Sequence, residues 1–179
     1  MSANLKKYLR SFKPIVDKCS RVLILGTMPG PVALARQEYY GFPGNHFWPI
    51  MAGLFGGNQP MTYAQKIRLL KKNRVAVWDT IRACERVGAS DGRIRCAVLN
   101  DIPGLIRRYP GIQVIFLNGK LAETLYRRHS APKVRRPVIA LPSTSPAYAA
   151  MSFQRKLKAW SAVKKWMVPP CSRPSRCVQ

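Results

Sequence analysis

Polar and small residues follow four apolar segments of the chain, and their side chains could support acid–base chemistry or ligand binding. The following residues are Gly26–Gly30, Asp79–Thr80, Asn118–Lys120 and Pro142–Pro146. Three of these stretches combine glycine or proline with hydroxyl or amide groups, a composition typical of a backbone that approaches a ligand closely. Asp79 is the sole carboxylate that directly follows an apolar segment, so it could act as a base or orient a ligand. Capping the segment after it is the alternative role.

The five cysteines, at positions 19, 84, 96, 171 and 177, are odd in number and include no C-x-x-C pair. This pattern favours neither a disulfide framework nor a zinc or iron–sulfur site. We therefore expect reduced thiols in an intracellular protein that needs no metal and no cofactor.

The charge balance is strongly basic, since 31 lysines and arginines face 7 aspartates and glutamates and give a net charge of +24. Like charges at this density repel one another on a compact globule, which favours a polyanionic partner. Basic residues occur along the whole chain and form no single amphipathic stripe, so nucleic acid is favoured over an anionic membrane. A uniformly basic, solvated surface is the alternative.

The apolar content is sufficient for a folded core, because 47% of the 179 residues are hydrophobic. We expect one domain over residues 1–167 and a disordered tail over residues 168–179, which carry three prolines and no apolar period. The longest apolar runs fall far short of the roughly 20 residues that cross a bilayer, and the N-terminus has no apolar signal-peptide region. The protein is expected neither to span a membrane nor to be secreted.

Short apolar segments alternate with helical patterns along the chain. We predict strands over residues 21–25, 74–78, 112–117 and 137–141. Helices are predicted near residues 46–55, 62–72, 101–108, 119–129 and 150–167. The alternation predicts an α/β fold, a three-layer α/β/α sandwich with a central, mostly parallel four-stranded sheet. Ligands of such sheets bind beyond the carboxyl ends of the strands, where the four polar stretches are expected to meet.

Four motifs lie at or near these predicted strand ends. They are Leu23–Gly30 (LILGTMPG), Tyr39–Trp48 (YYGFPGNHFW), Asn118–Lys120 (NGK) and Leu141–Ala147 (LPSTSPA). In this order they resemble the uracil-DNA glycosylase superfamily, and most closely its hypoxanthine-DNA glycosylase (deoxyinosine glycosylase) branch. Residues 78–86 (WDTIRACER) also look like that branch, and the resemblance covers most of residues 21–160.

The resemblance implies a glycosylase-like fold and a monofunctional hydrolase that cleaves the N-glycosidic bond of a deaminated base in base excision repair, without metal or cofactor. Hypoxanthine is the favoured base. A preference for uracil and a basic DNA-binding protein without catalysis are the alternatives. The expected partner is double-stranded DNA, from which the damaged nucleotide is turned out into a pocket, and we expect the protein to act as a monomer.

Asn45 matches the asparagine on which this branch relies, so the resemblance makes it the expected catalytic residue. An amide oxygen can orient a water molecule while C1′ becomes oxocarbenium-like and the base departs as an anion. Capping the helix that begins at His46 is the alternative for Asn45. His46 itself could stabilise the departing anion. Met28 departs from the broader superfamily, which usually has a water-activating Asp or Asn there, because a thioether cannot activate water.

The resemblance places five residues around the base, namely Gly26, Thr27, Met28, Tyr40 and Asn118. Tyr40 is expected to stack on it, a contact worth about 1–3 kcal/mol, and a core position is its alternative. Asn118 is expected to donate to the carbonyl oxygen and accept from the adjacent ring N–H, a pattern that hypoxanthine and uracil share and adenine reverses. Its alternative is a turn or helix cap. Phe47 and Trp48 are predicted to lie in the core.

The loop after the last predicted strand is expected, again by resemblance, to bind the phosphates that flank the lesion. Its candidate residues are Ser143, Thr144 and Ser145. Hydroxyl groups beside prolines suit rigid phosphate contacts. Ala147 or Tyr148 is expected near the side chain that enters the vacated base stack, and an ordinary turn is the alternative for the loop.

Overall fold

Seven β-strands form two sheets in the computed structural model, which describes residues 8–167. The strands are β1 (Tyr8–Arg10), β2 (Val22–Gly26), β3 (Val75–Asp79), β4 (Ile81–Arg86), β5 (Ile94–Leu99), β6 (Val114–Asn118) and β7 (Val138–Leu141). An all-parallel central sheet has the spatial order β3, β2, β6, β7. The four predicted strands are confirmed, with ends that shift by one or two residues.

Helices flank this sheet along the described chain. They are α1 (Pro31–Arg36), α2 (Phe47–Phe55), α3 (Tyr63–Lys72), α4 (Ile102–Arg108), α5 (Lys120–His129) and α6 (Phe153–Trp160). Four of the predicted helices are confirmed as α2, α3, α4 and α5. Helix α1 was not predicted, because six residues are too short to show an apolar period.

The two faces of the central sheet enter separate apolar layers. In β2, Val22 and Ile24 pack with residues of α2 and α6, whereas Leu23 and Leu25 pack with residues of α4 and α5. Every residue of β2 and β6 is buried, which explains why these strands are continuous apolar runs rather than alternating ones. The predicted three-layer α/β/α sandwich is therefore confirmed.

The last predicted helix is shorter than its pattern indicated. It begins after Ser152, whose Oγ accepts the backbone N–H of Arg155, and α-helical bonding ends at Trp160. Residues 161–166 continue as a 3₁₀-helix. Trp160 is fully buried and donates from its indole N–H to the carbonyl of Pro142, so this helix anchors the loop after β7.

A second sheet, which sequence patterns did not predict, is antiparallel and has the order β1, β4, β5. Strand β4 begins two residues after the end of β3, so the chain passes directly from one sheet into the other. The turn between β4 and β5 is thereby brought next to the carboxyl edge of the central sheet.

The predicted single domain remains a prediction, and the predicted tail, residues 168–179, lies outside the described residues, as do residues 1–7. None of the helices described between residues 8 and 167 combines the length and the hydropathy that a membrane span requires.

Candidate active site

A cavity of about 930 Å³ opens where the parallel strands end. The register aligns these ends, since Gly26 pairs with Asp79, and Asn118 with Leu141. Nearly every residue predicted for the site lines the cavity: Gly26, Thr27, Met28, Tyr40, Asn45, Asp79, Asn118, Ser143, Thr144 and Ser145. His46 does not line it; its ring packs edge-on against Phe153, with 5.4 Å between the ring centroids.

Gly26 leaves room on the cavity floor for two polar groups. A Cβ atom at this position would lie 2.6 Å from Oδ1 of Asp79 and 3.1 Å from the hydroxyl of Tyr40. Any side chain here would therefore occupy the space between them. Gly30 also lines the cavity, but a Cβ there would have no atom within 4 Å.

Asp79 is a carboxylic acid that is only 3% exposed and forms no ion pair with any residue between 8 and 167. The hydroxyl of Ser11 donates to its Oδ2 over 2.5 Å. Burial, which penalises the charged form, is the main reason that the pKa of Asp79 rises to about 7. The capping alternative for Asp79 is wrong, because strand β4 and not a helix follows it after Thr80.

The side chain of Asn118 joins three parts of the site. Its Nδ2 donates to the hydroxyl of Tyr40 at 3.2 Å and to Oγ1 of Thr144 at 3.0 Å, while its Oδ1 accepts the backbone N–H of Thr144 at 3.0 Å. Both amide hydrogens are thus used within the protein, and Oδ1 keeps one lone pair. In this arrangement Asn118 therefore has no amide hydrogen left for the expected donation to a base carbonyl.

Tyr40 is half-buried and has a left-handed backbone conformation, with φ of +54°. Its ring stacks on Phe47, with centroids 3.8 Å apart and 18° between the planes. Phe47 and Trp48 are 0% and 4% exposed, so their predicted core positions are confirmed. The core therefore supports the ring of Tyr40 at the cavity.

Asn45 bonds the start of helix α2 from the side of the cavity, one residue before the N-cap residue His46. Its Oδ1 accepts the backbone N–H of Phe47 at 2.9 Å, and the next residue, His46, donates its backbone N–H to the carbonyl of Thr144 at 3.0 Å. The capping role is therefore present. It is compatible with a second role, because Oδ1 keeps another lone pair and the side chain lines the cavity.

The loop after β7 is held by its own hydroxyl groups and by a buried lysine. Oγ of Ser143 accepts the N–H of Ser145, and Oγ of Ser145 accepts that of Ala147. Lys156, 1% exposed, donates from Nζ to the carbonyl of Tyr148 at 2.8 Å. The serine hydroxyls accept in these bonds and keep their hydrogens for donation.

Met28 contributes apolar surface to the cavity. It is 7% exposed and packs with Ile81 and Cys84. Its thioether is therefore a wall of the site and supplies no base.

Sequence reasoning missed the wall formed by the β4–β5 turn, residues 88–92. Asp91 of this turn lies 3.9 Å from Nη1 of Arg86, a buried guanidinium that also donates to the carbonyl of Pro29 over 2.5 Å. Burial raises the pKa of Asp91. The Gly-Ala-Ser-Asp-Gly composition of the turn could have indicated a hairpin.

Two exposed aromatic rings at the cavity were likewise missed as a pair. Phe42 is 45% exposed and Tyr148 is 38% exposed, and both line the cavity. Large apolar side chains left in water beside a cavity indicate a binding surface. Over the described range, 8–167, no cluster of His, Cys, Asp and Glu could hold a metal ion.

Comparison with known proteins relates this geometry to a family. The model of the uracil DNA glycosylase superfamily matches residues 14–164. A hypoxanthine DNA glycosylase of Methanosarcina acetivorans is 35% identical over 158 residues, which is 86% of this chain and 96% of that protein. A second, from Methanosarcina barkeri, is 33% identical over 112 residues, or 62% of this chain and 71% of that protein.

A solved structure has the same fold. The solution NMR structure of a Methanosarcina acetivorans protein assigned to the uracil DNA glycosylases superposes with a TM-score of 0.72 at 32% sequence identity. The match covers 88% of this chain and 99% of that one.

We predict that Asn118→Ala lowers the free energy of unfolding by about 3 kcal/mol, since three hydrogen bonds of roughly 1 kcal/mol each are lost. Denaturation in urea measures this loss. Asn100→Ala is the matched control, because Asn100 is as buried as Asn118 but donates one hydrogen bond, to the carbonyl of Asp79. Its expected loss is about 1 kcal/mol. Equal losses for the two variants would contradict the cross-linking role of Asn118.

Proposed function

Because this chain belongs to the uracil DNA glycosylase superfamily, we propose that it is a DNA glycosylase that hydrolyses the N-glycosidic bond of a deaminated base, preferentially hypoxanthine. The names of the two Methanosarcina relatives support this choice of base. The observation that carries the proposal is the convergence of Tyr40, Asn45 and Asn118, from separate parts of the chain, on one cavity.

The dimensions of the cavity suit a single nucleotide turned out of a duplex. Its volume of about 930 Å³ lies within the usual range of small-ligand sites. Turning a nucleotide out costs a few kcal/mol, and the cost is lowest for a mispaired base such as hypoxanthine. Substrate choice can therefore begin before the base enters the cavity.

We place the catalytic role at Asn45. The N–H of Phe47 fixes its Oδ1, and the remaining lone pair of that oxygen can hold a water molecule against C1′. The water oxygen bonds to C1′ as the bond from C1′ to the base nitrogen breaks. The electron pair of that bond leaves with the base. The attacking water gives up one proton and the departing base takes up one proton, so the products are the free base and an abasic sugar. Met28 cannot perform this task.

The other proposed contacts follow from their surroundings. The ring of Tyr40, supported by Phe47, can stack on the base. The hydroxyl hydrogens of Ser143 and Ser145 can bind phosphates next to the lesion. Thr144 does not take part through its backbone, because it is 1% exposed and its N–H already donates to Asn118. Tyr148 is exposed and lines the cavity, which supports the proposal that it enters the gap that the base leaves.

DNA is the expected partner of a glycosylase, and a chain of net charge +24 attracts its phosphates. We propose a duplex as the natural substrate and a monomer as the active form. Phosphate contacts fix the register of the protein on DNA, and the residues of the cavity distinguish one base from another.

Asn45→Ala is expected to slow base release at least about 100-fold, because the water loses its orienting acceptor. Affinity for the duplex should change little, since Asn45 makes no phosphate contact in this proposal. Single-turnover release from a duplex with one deoxyinosine, read out by alkaline cleavage of the abasic site, measures the rate.

Asn45→Ser is the control for the capping role, since a serine oxygen can still cap α2. It should keep the stability of the protein while losing base release. Release at the parental rate by either variant would remove Asn45 from catalysis.

Gly26→Ala is expected to reduce base release by about tenfold or more, because a methyl group 2.6 Å from Oδ1 of Asp79 fills the cavity floor. Gly30→Ala is the matched control, since its methyl group meets no atom and should leave the rate within about twofold. The same single-turnover assay compares them. Equal effects of the two substitutions would place the base elsewhere.

The affinity for duplex DNA is expected to fall by a factor of about 10²–10³ between 50 and 200 mM salt, as several phosphate contacts release counterions. Fluorescence anisotropy with damaged and undamaged duplexes measures both slopes, which should be similar. An affinity that is insensitive to salt would refute the electrostatic part of the proposal.

A further inference from the structure

We propose that Asp79 recognises the deaminated base as a neutral carboxylic acid, whose Oδ1 donates a hydrogen bond to the carbonyl oxygen of the base. This inference rests on the proposed function and adds the group that distinguishes a deaminated base from its parent. The sequence suggested that this residue acts as a base, orients a ligand or caps the next segment, and the present inference makes the orienting role specific to a donor hydrogen bond.

A donor is needed at this place because Asn118 cannot supply one. Hypoxanthine and uracil each present a carbonyl oxygen beside a ring N–H. The remaining lone pair of Asn118 Oδ1 can accept from the ring N–H, but both hydrogens of its amide go to Tyr40 and Thr144. A carbonyl oxygen left without a donor in a desolvated cavity would cost about 1–3 kcal/mol.

The geometry of Asp79 leaves one oxygen free for this contact. Ser11 donates to Oδ2, which holds the carboxyl group in one orientation. Oδ1 lies 2.6 Å, and the hydroxyl of Tyr40 3.1 Å, from the position that a Cβ atom of Gly26 would take, and Asp79 lines the cavity. Within residues 8–167 this oxygen has no hydrogen-bond partner.

The surroundings favour the neutral form of the carboxyl group. The titratable groups that face it are the phenols of Tyr39, Tyr40 and Tyr63, the carboxyl of Asp91 and the guanidinium of Arg86. The one cation among them, Arg86, donates to the carbonyl of Pro29 and lies 3.9 Å from Asp91, so it forms no ion pair with Asp79. A buried carboxylate that forms no ion pair within residues 8–167 is costly, and burial raises the pKa of Asp79 to about 7 although the charge of Arg86 acts to lower it.

The neutral form also suits the reaction. As the glycosidic bond breaks, negative charge spreads over the departing base and its carbonyl oxygen, so a hydrogen bond donated to that oxygen becomes stronger. An ionised carboxylate at the same place would repel the departing anion. Adenine presents an amino group there, which would meet a second donor and be rejected.

The pH profile of base release tests the role of Asp79. The protein is present in excess over a deoxyinosine duplex but at a concentration below saturation. The pH profile then reports the pKa values of groups in the free protein. Release by the parent protein should fall about tenfold per pH unit above pH 7, as Asp79 loses its proton. Tyr40, the other donor nearby, would give no such fall near neutrality, because burial and Asp79 raise its pKa.

Two variants change this profile in opposite ways. Asp79→Asn should remove the alkaline decline, because an amide accepts from Ser11 through its oxygen and presents N–H to the cavity at every pH. It should therefore release base faster than the parent protein at pH 9. Ser11→Ala should move the decline to higher pH, since the hydrogen bond from Ser11 lowers the pKa of Asp79. Circular dichroism at each pH verifies that both variants are folded.

The outcomes separate this inference from the proposed function. An alkaline decline that Asp79→Asn leaves unchanged, a loss of release by Asp79→Asn at every pH, or an unmoved decline in Ser11→Ala would overturn the role of Asp79 alone. Failure of the parent protein to release any base at any pH would overturn the proposed function, and this inference with it.

Discussion

The register of the parallel sheet is the constraint on which the whole site depends. Strand β2 lies between β3 and β6, so the ends of all three strands are fixed relative to one another by backbone hydrogen bonds. The pairing continues past the sheet, since Thr80 donates its N–H to the carbonyl of Gly26. A slip of one residue would turn Asp79 or Asn118 to the opposite face of the sheet and remove it from the cavity.

The polar side chains at the cavity have structural as well as chemical roles. Asn118 donates its amide hydrogens to Tyr40 and Thr144 and so joins Tyr40 to the loop after β7. Asn45 uses one lone pair of Oδ1 to accept the backbone N–H of Phe47 at the start of α2. Each bond fixes a group that would otherwise lose entropy when a ligand binds. The chain carries a net charge of +24, whereas the floor of the cavity holds a carboxyl group whose pKa burial raises to about 7. The groups that attract DNA and the groups that contact the base therefore lie in different parts of the molecule.

Much of this arrangement could be predicted from the sequence, because buried parallel strands are continuous apolar runs whose ends identify a ligand-binding edge. Asn45 and Tyr40 were predicted as site residues because their motif resembles that of the family, and both line the cavity. The antiparallel sheet could not be predicted, since β5 contains Arg95 and an exposed Cys96 and has no clear apolar alternation. The hydrogen-bond partners of Asn118 are 26 and 78 residues away along the chain, so these bonds could not be predicted from local sequence patterns.

Direct analysis of the released base tests the central claim of this account. The protein is incubated with duplexes that contain one deoxyinosine, one deoxyuridine or normal bases only, and free bases are identified by liquid chromatography and mass spectrometry. The account predicts free hypoxanthine from the first duplex, at a higher rate than uracil from the second, and no adenine from the third. Intact deoxyinosine after prolonged incubation with excess protein that binds the duplex would contradict it.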